Sequence, residues 1–459
     1  MSILDQSVRK IAKYTNLHLV NLGSGTVLYA PLVGIVIEVT DGVAEQIERI
    51  FSGSAIADFP GGNDWTEFLD DLSKASTDRC DVVEQSPVSS RSFAPTEVTL
   101  SLTANCNLKC VYCYIHGGER DHNMNSEIAE ASIDFVAKNA VRRNRGSFAV
   151  TFHGEGEPTF NWSQFKQTVT YAERVAQESN LKLILSMTSN GMWSKSQFQF
   201  ITARFNSISL SIDGLQADQD MLRPTRSGKS SFETVSRNLI ALGKSKTQCG
   251  VRATITPLNV DRIVPFLDFL VTKAAVKGVR LEPIFDAGRA MALPGEERDS
   301  RAFEKLFAQR FFEARQYGKA IGIDVDYSGC SDVSPHGKFC GATGTDPNFV
   351  VMTSGLVSSC YEVNKRSHPL GEFFVYGYYN AEARSFRFLE NKLDRLMNFD
   401  TKDGSPCASC FAQSNCSGDC LARYELKSLI DGGTSSRCGL NKQLNRAIIA
   451  DTVGRSVTL

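Results

Sequence analysis

From Glu97 onward the chain alternates two hydrophobic rhythms. The segments "EVTLSLT", "SFAVTFH", "LKLILSMT", "SISLSID", "GVRATIT" and "GVRLEPIF" are short, rich in β-branched and aromatic residues, and predict strands. Segments of helical period lie between them. Ile128, Ala131, Phe135, Val136 and Ala140 recur at i, i+3, i+7, i+8 and i+12. Phe232, Val235, Leu239 and Leu242 recur at i, i+3, i+7 and i+10. Each set makes one apolar stripe that faces a sheet. Strand–helix units in series predict an α/β fold with a parallel sheet, open or curled toward a barrel. In such folds the chemistry sits at the C-terminal ends of the strands. After about residue 318 the alternation fades, and cysteines, glycines and short elements take over.

Residues 1–80 follow a different pattern and predict a small separate α+β module. "NLHLVNL", "TVLYAP" and "VGIVIEVT" read as short strands broken by the Gly23-Ser24-Gly25 turn. Helical patterns follow around "GVAEQIERIF" and "DWTEFLDDLSKA". The polar stretch around residues 81–95 then reads as a linker. The resulting division is 1–80, 81–95, 96–317 and 318–459.

Composition adds little to this picture and excludes several alternatives. The chain of 459 residues is 42% hydrophobic and 22% charged, which is ordinary for a globular protein. Its formal net charge of −1 gives no general electrostatic attraction to nucleic acid or an anionic membrane. The apolar run "VLYAPLVGIVIEV" contains Pro31 and is too short to span a bilayer. "MSILDQSVRK" lacks the basic and apolar regions of a signal peptide, so a cytoplasmic location is expected.

The cysteines change the reading. There are 13, an odd number in a large chain without a secretion signal, so metal ligation is favoured over a disulfide framework. Cys106, Cys110 and Cys113 form C-x3-C-x2-C directly after the first predicted strand, at the mouth of the predicted barrel. A zinc site here needs a fourth ligand, for which His116 is a candidate. A four-iron–four-sulfur cluster normally takes four thiolates, so three leave one iron open to a small molecule.

C-x3-C-x2-C with Tyr112 before the last cysteine, following the first strand of a βα series, resembles the radical S-adenosylmethionine (SAM) superfamily. The resemblance implies a partial (β/α)6 barrel of the triosephosphate-isomerase type. It also implies a cluster whose open iron is chelated by SAM, and reductive cleavage of SAM to methionine and a 5′-deoxyadenosyl radical that abstracts hydrogen. Gly156-Glu157-Pro158 resembles the Gly-Gly-Glu-Pro motif that holds the SAM amino group, with Glu155 at the first glycine position. Thr188 and Asn190 in "TSNG", and Ser211 and Asp213 in "SLSIDG", lie at the next two strand ends. There the family places contacts to the SAM ribose and carboxylate.

Cys330-x9-Cys340-x14-Gly355-x4-Cys360 is followed by Cys407-x2-Cys410-x5-Cys416-x3-Cys420-x17-Cys438. Eight thiols in this spacing are enough for two four-thiolate zinc sites. Their order resembles the SPASM domain of radical SAM peptide modifiers. That resemblance implies two auxiliary four-iron–four-sulfur clusters and so three clusters in all. Cys330, Cys340, Cys360 and Cys420 would hold one auxiliary cluster, and Cys407, Cys410, Cys416 and Cys438 the other. Cys249 reads as a small apolar core residue, and Cys80 has no assigned role.

The N-terminal module resembles the recognition element of ribosomal-peptide maturases, a winged-helix-like unit to which a leader peptide adds a strand. The resemblance implies a precursor-peptide substrate, an intramolecular C–C, C–O or thioether crosslink, and a reductant such as flavodoxin or ferredoxin. The competing enzyme reading is an anaerobic sulfatase maturase that makes formylglycine. That family usually has an Asp directly after the cysteine matching Cys360, where this chain has Tyr361 and Glu362. Glu362, Tyr361 and His153 are the candidates on the substrate side. A non-enzymatic iron–sulfur carrier or zinc scaffold is the third reading.

Overall fold

The computed structural model describes residues 17–32, 34–51, 93–119, 121–292, 300–330, 339–399 and 405–455. It opens with three antiparallel strands, β1 (His18–Asn21), β2 (Thr26–Ala30) and β3 (Ile35–Val39), in the order β1-β2-β3. Gly23 makes the first turn at φ +80°, a backbone shape costly for a side chain, and its N–H donates to Asn21 Oδ1 at 2.7 Å. Helix α1 (Asp41–Phe51) follows. The second helix expected in this module, most of the expected linker and Cys80 lie outside the described residues.

The six expected barrel strands are β4 (Glu97–Leu100), β5 (Ser147–Phe152), β6 (Lys182–Ser189), β7 (Ser207–Ser211), β8 (Gln248–Ile255) and β9 (Gly278–Pro283). They pair in chain order and all in parallel. Seven helices lie among and after them: α2 (Ser126–Arg142), α3 (Trp162–Glu178), α4 (Lys195–Thr202), α5 (Gln216–Leu222), α6 (Phe232–Leu242), α7 (Ile263–Thr272) and α8 (Ser300–Ile321). Asn125 and Asn161 cap α2 and α3, and Ser194 with Gln197 forms a reciprocal box at α4.

The parallel run is longer than its hydrophobic signal. β10 (Asp324–Asp326) adds to β9, and β11 (Val350–Val351) adds to the far side of β4. β12 (Leu356–Ser358), β13 (Val375–Asn380) and β14 (Ser385–Phe388) then continue antiparallel, giving one eleven-stranded sheet. Two acids in the three-residue β10, and only two residues in β11, leave no periodicity to read. The expected boundary at 317/318 therefore falls inside α8, before the last parallel strand.

Burial follows the period of each element. On α6, Val235, Leu239 and Leu242 are buried as expected, with Phe232 partly buried. On α2 the buried set includes Ile128, Val136 and Ala140 of the expected stripe together with Ala129, Ser132, Ile133 and Ala137, while Ala131 and Phe135 are only partly buried. Phe135 turns instead toward Phe349, Phe386 and Phe388, because the C-terminal hairpin covers a second side of this helix. Phe152, Phe165 and Phe205 pack together at the β5–α3 interface. Each buried ring contributes roughly 1.5–3 kcal/mol.

The lumen side of the barrel is polar. On β8, Val251, Ala253 and Ile255 are buried against helices, while Arg252 on the opposite face is exposed. Thr151 and Ser186 share a 2.7 Å hydrogen bond on the same lumen face, and Thr188, Ser209 and Ser211 are only partly buried. Small hydroxylic residues stand here in place of the branched apolar ones that fill many barrels.

Candidate functional site at the barrel mouth

The three-cysteine loop leaves the C-terminal end of β4 and is gripped from two sides. Gly156, after β5, packs so closely that a Cβ there would lie 2.2 Å from the Asn105 carbonyl oxygen. Arg289, after β9, donates from Nε to the Cys110 carbonyl at 2.8 Å and from Nη1 to Glu119 at 3.0 Å. Its backbone N–H donates to the Cys113 carbonyl at 3.0 Å. At the sulfurs, Cys106 Sγ faces the Leu108 N–H at 3.5 Å and Asn190 Nδ2 at 3.7 Å, while Cys113 Sγ accepts from the Gly117 N–H at 3.3 Å. Burial pushes the Cys106 thiol up to about 12, with Cys110 and Glu157 adding to it. Burial raises Cys110 to about 11, opposed first by the Arg223 charge. Thiolates here need a cation beside them, while N–H donors already point at two sulfurs. This donor set fits an iron–sulfur cluster, which requires deprotonated ligands.

Of the residues expected to contact SAM, Gly156, Glu157, Asn190 and Asp213 touch this loop. Glu157 is buried and accepts from Ser189 Oγ and Thr159 Oγ1, both at 2.7 Å, and from the Asn190 N–H at 2.8 Å. Burial raises its carboxyl above the usual range, and these hydrogen bonds oppose the shift. Asn190 links Glu157 to the cysteine loop, since Nδ2 also donates to Asn107 Oδ1 at 2.7 Å. Thr188 and Ser211 sit partly buried on the lumen face. Tyr112 donates its hydroxyl to the buried Asp213, whose other oxygen takes the Thr254 N–H at 2.9 Å.

Two residues not foreseen from the sequence complete this network. Arg223, directly after α5, donates to the Tyr112 hydroxyl oxygen at 2.7 Å and lies 3.9 Å from Asp213. Its Nε is buried without a hydrogen-bond partner. In "MLRPTRSG" it reads as an ordinary arginine before a proline at a helix end, and only the fold brings it beside Cys110. Glu155 is the other. Its carboxylate accepts from the Thr353 N–H at 2.8 Å, Thr353 Oγ1 at 2.6 Å and Asn364 Nδ2 at 2.9 Å. The residue at a motif glycine position thus joins the barrel mouth to the C-terminal region. The departure from glycine was visible in the sequence; its partners were not.

Seven of the remaining cysteines fall into two neighbourhoods. Cys360 is partly buried, and the negative charges of Glu362, Cys420 and Cys340 add to the desolvation that raises its thiol. Cys330 is fully buried. In the other group, Cys416 is raised to about 12 by burial, with Cys407 and Cys410 among the further causes. Cys438 also feels Cys407. Asn441 Nδ2 donates to Cys416 Sγ at 3.2 Å. Among the described residues, no three His, Cys, Asp or Glu side chains converge as a single-ion site requires. Cys249 is partly buried against the barrel core.

Residues 100–270 match the family model described as the radical SAM superfamily. The chain carries a radical SAM domain. It is 23% identical to the cysteine-type anaerobic sulfatase-maturating enzyme of Clostridium perfringens over 332 residues, covering 69% of this chain and 86% of that protein. It is 24% identical to the mycofactocin maturase MftC of Mycolicibacterium smegmatis over 359 residues, 75% of this chain and 83% of that one. The solved structure of native anSMEcpe with bound AdoMet superposes with a TM-score of 0.60 at 18% identity, over 78% of this chain and 98% of the other. The fold is the α/β radical SAM fold with its parallel sheet, and a radical SAM domain implies one four-iron–four-sulfur cluster and SAM. Among the described residues no helix is long and apolar enough to cross a membrane.

Below the cysteine loop, the radical SAM domain meets the C-terminal region through the substrate-side candidates. His153, after β5, stacks edge-on against Tyr361 with ring centroids 5.0 Å apart. Burial lowers the His153 imidazole to about 4, and the Arg252 charge adds to this, so the ring is neutral near pH 7. Glu362 is held by Arg423 at 2.5 Å, and that guanidinium lies over the Phe285 ring. Glu362 is therefore a paired carboxylate, whereas among the described residues the His153 imidazole has no hydrogen-bond partner.

Proposed function

We propose that the protein is a radical SAM peptide maturase that forms an intramolecular crosslink in a ribosomally made precursor. Cys106, Cys110 and Cys113 would hold the SAM-binding cluster. Bound there, cluster and SAM would supply a 5′-deoxyadenosyl radical for hydrogen abstraction. Glu157 and Asn190 would receive the SAM amino group, and the free Nε–H of Arg223 is suited to its carboxylate. Thr188, Ser211, Asp213 and Tyr112 would line the nucleoside side. The C-terminal region from about 327 would be a SPASM domain carrying two further clusters, on Cys330, Cys340, Cys360 and Cys420 and on Cys407, Cys410, Cys416 and Cys438. These would relay electrons from a flavodoxin- or ferredoxin-like donor.

The observation that carries the peptide reading is the described part of the N-terminal segment, residues 17–32 and 34–51. Its sheet is built onto the C-terminal region: Val20, Leu22, Val27 and Tyr29 pack against Ile449 and Ala450 of the helix Cys438–Thr452. Asn415 Nδ2, next to Cys416, donates to the Tyr29 hydroxyl at 3.2 Å. A leader strand added to an open edge of this sheet would be held near the second thiolate group.

The second reading, formylglycine formation on a sulfatase, is supported by the coverage of the Clostridium perfringens relative. Mass spectrometry of the product separates the two. A crosslink removes hydrogens and creates no aldehyde, whereas formylglycine carries an aldehyde that a hydrazide traps. Reaction of only a sulfatase peptide, with hydrazide capture, would replace the first reading by the second.

A further inference from the structure

The lumen carries two guanidinium groups that the fold does not neutralise. Arg252 on β8 and Arg280 on β9 are in register on adjacent strands, and both are exposed. Their neighbours Val251 and Ala253, and Val279 and Leu281, are buried against the helices, so the two arginines share the inner face. Like charges directly opposite one another on paired strands are destabilising. Among the described residues neither guanidinium has a hydrogen bond or ion pair.

The acids nearby are committed or displaced. Asp213 feels Arg252, but its oxygens are already taken by the Tyr112 hydroxyl and the Thr254 N–H. Glu282 lies buried against Ser328 and Arg437. Asp326 is in register with Arg280 on its far side without reaching bonding distance. The His153 imidazole and the Tyr114 phenol, next to Cys113, also feel the Arg252 charge. Arg252 therefore lies exposed on the inner face of the barrel, near hydrogen-bonding groups and the cysteine loop.

We infer that Arg252, with Arg280 beside it, forms a carboxylate-recognition site for an acidic residue of the peptide substrate. A planar guanidinium matches a carboxylate with two parallel N–H···O bonds. A carboxylate placed there relieves the repulsion between the arginines and anchors the peptide within reach of the cysteine loop. The inference rests on the peptide-maturase reading and gives it a substrate chemistry: an Asp or Glu side chain close to the modified residue.

The test uses the anaerobically reconstituted full-length protein with SAM and two acetylated, amidated pentapeptides, Gly-Gly-Glu-Gly-Gly and Gly-Gly-Gln-Gly-Gly. Calorimetric titration should show the Glu peptide binding at least about tenfold more tightly, the margin of one charge-assisted pair. Arg252→Gln should abolish the preference, and Arg252→Lys should retain part of it. Equal affinity of the two peptides, including no detectable binding of either, overturns the site, as does a preference that survives Arg252→Gln. Formation of 5′-deoxyadenosine by the same wild-type sample without peptide is the separate control. Its absence sinks the radical reading, whereas its presence without a carboxylate preference sinks only this inference.

Discussion

Glu155 is expected to be a structural keystone between the barrel mouth and the C-terminal region. Its carboxylate is 4% exposed and serves three close donors on Thr353 and Asn364, with Ser101 Oγ more distant at 3.4 Å. Glu155→Ala leaves the Thr353 N–H and hydroxyl and the Asn364 amide without their acceptor. Hydrogen bonds to a charged group contribute about 1.5–3 kcal/mol each, and water entering the vacated space restores part of the loss. We expect a net destabilisation of about 3–4 kcal/mol, and about 1–2 kcal/mol of coupling in the cycle with Asn364→Ala. Anaerobic urea unfolding followed by tryptophan fluorescence reads this, since Trp193 is fully buried in the barrel. The same variant should raise the KM for SAM more than it lowers kcat, because Glu157 lies two residues further along the loop. A loss under about 1 kcal/mol, with the two substitutions additive to within about 0.3 kcal/mol, would refute the keystone role.

Cys113→Ala should lower the iron content of the reconstituted protein from roughly twelve to roughly eight per chain; loss of all iron would mean that the three thiolate groups do not assemble independently. Arg289→Gln should reduce occupancy of the loop cluster, with poor rescue by Lys because the fork spans a carbonyl and Glu119; unchanged iron and an unchanged cluster EPR signal would refute the clamp. His153 is a neutral base in the fold, with its pKa lowered to about 4 by burial. The unfolded chain then binds more protons between about pH 4 and 6.5, so its contribution to stability is present above that window and lost as pH falls through it. Urea midpoints of His153→Gln should fall less on acidification than those of wild type, and parallel pH profiles would contradict this. Ile449→Asp should detach the N-terminal sheet and expose β1–β3 to protease, because it places a charge against Val20, Val27 and Tyr29; an unchanged cleavage pattern would show that this contact does not hold the module.

Much of the fold was legible because its elements have strong periods. All six barrel strands appear where alternation and β-branched content placed them, and the N-terminal strands match their three segments. What escaped was structure set by tertiary pairing. β10 and β11 have too few residues to show a period, and Phe135 faces a hairpin more than 200 positions away in the chain. The candidate site divides in the same way. Cys106, Cys110, Cys113, Glu157 and Asn190 form a local spacing or follow strand ends, so sequence order brings them together. Arg223, Arg289, Arg252 and the partners of Glu155 are ordinary residues until folding sets their surroundings. A buried guanidinium without a partner at Nε has no signature in the sequence.

The central claim is that the three-cysteine loop holds a cluster that cleaves SAM. The most direct measurement is the formation of 5′-deoxyadenosine and methionine when the anaerobically reconstituted wild-type protein is reduced in the presence of SAM, alongside Cys113→Ala. The account predicts product from wild type and none above background from the variant. A reducible wild-type cluster without 5′-deoxyadenosine, or undiminished product from Cys113→Ala, would contradict it.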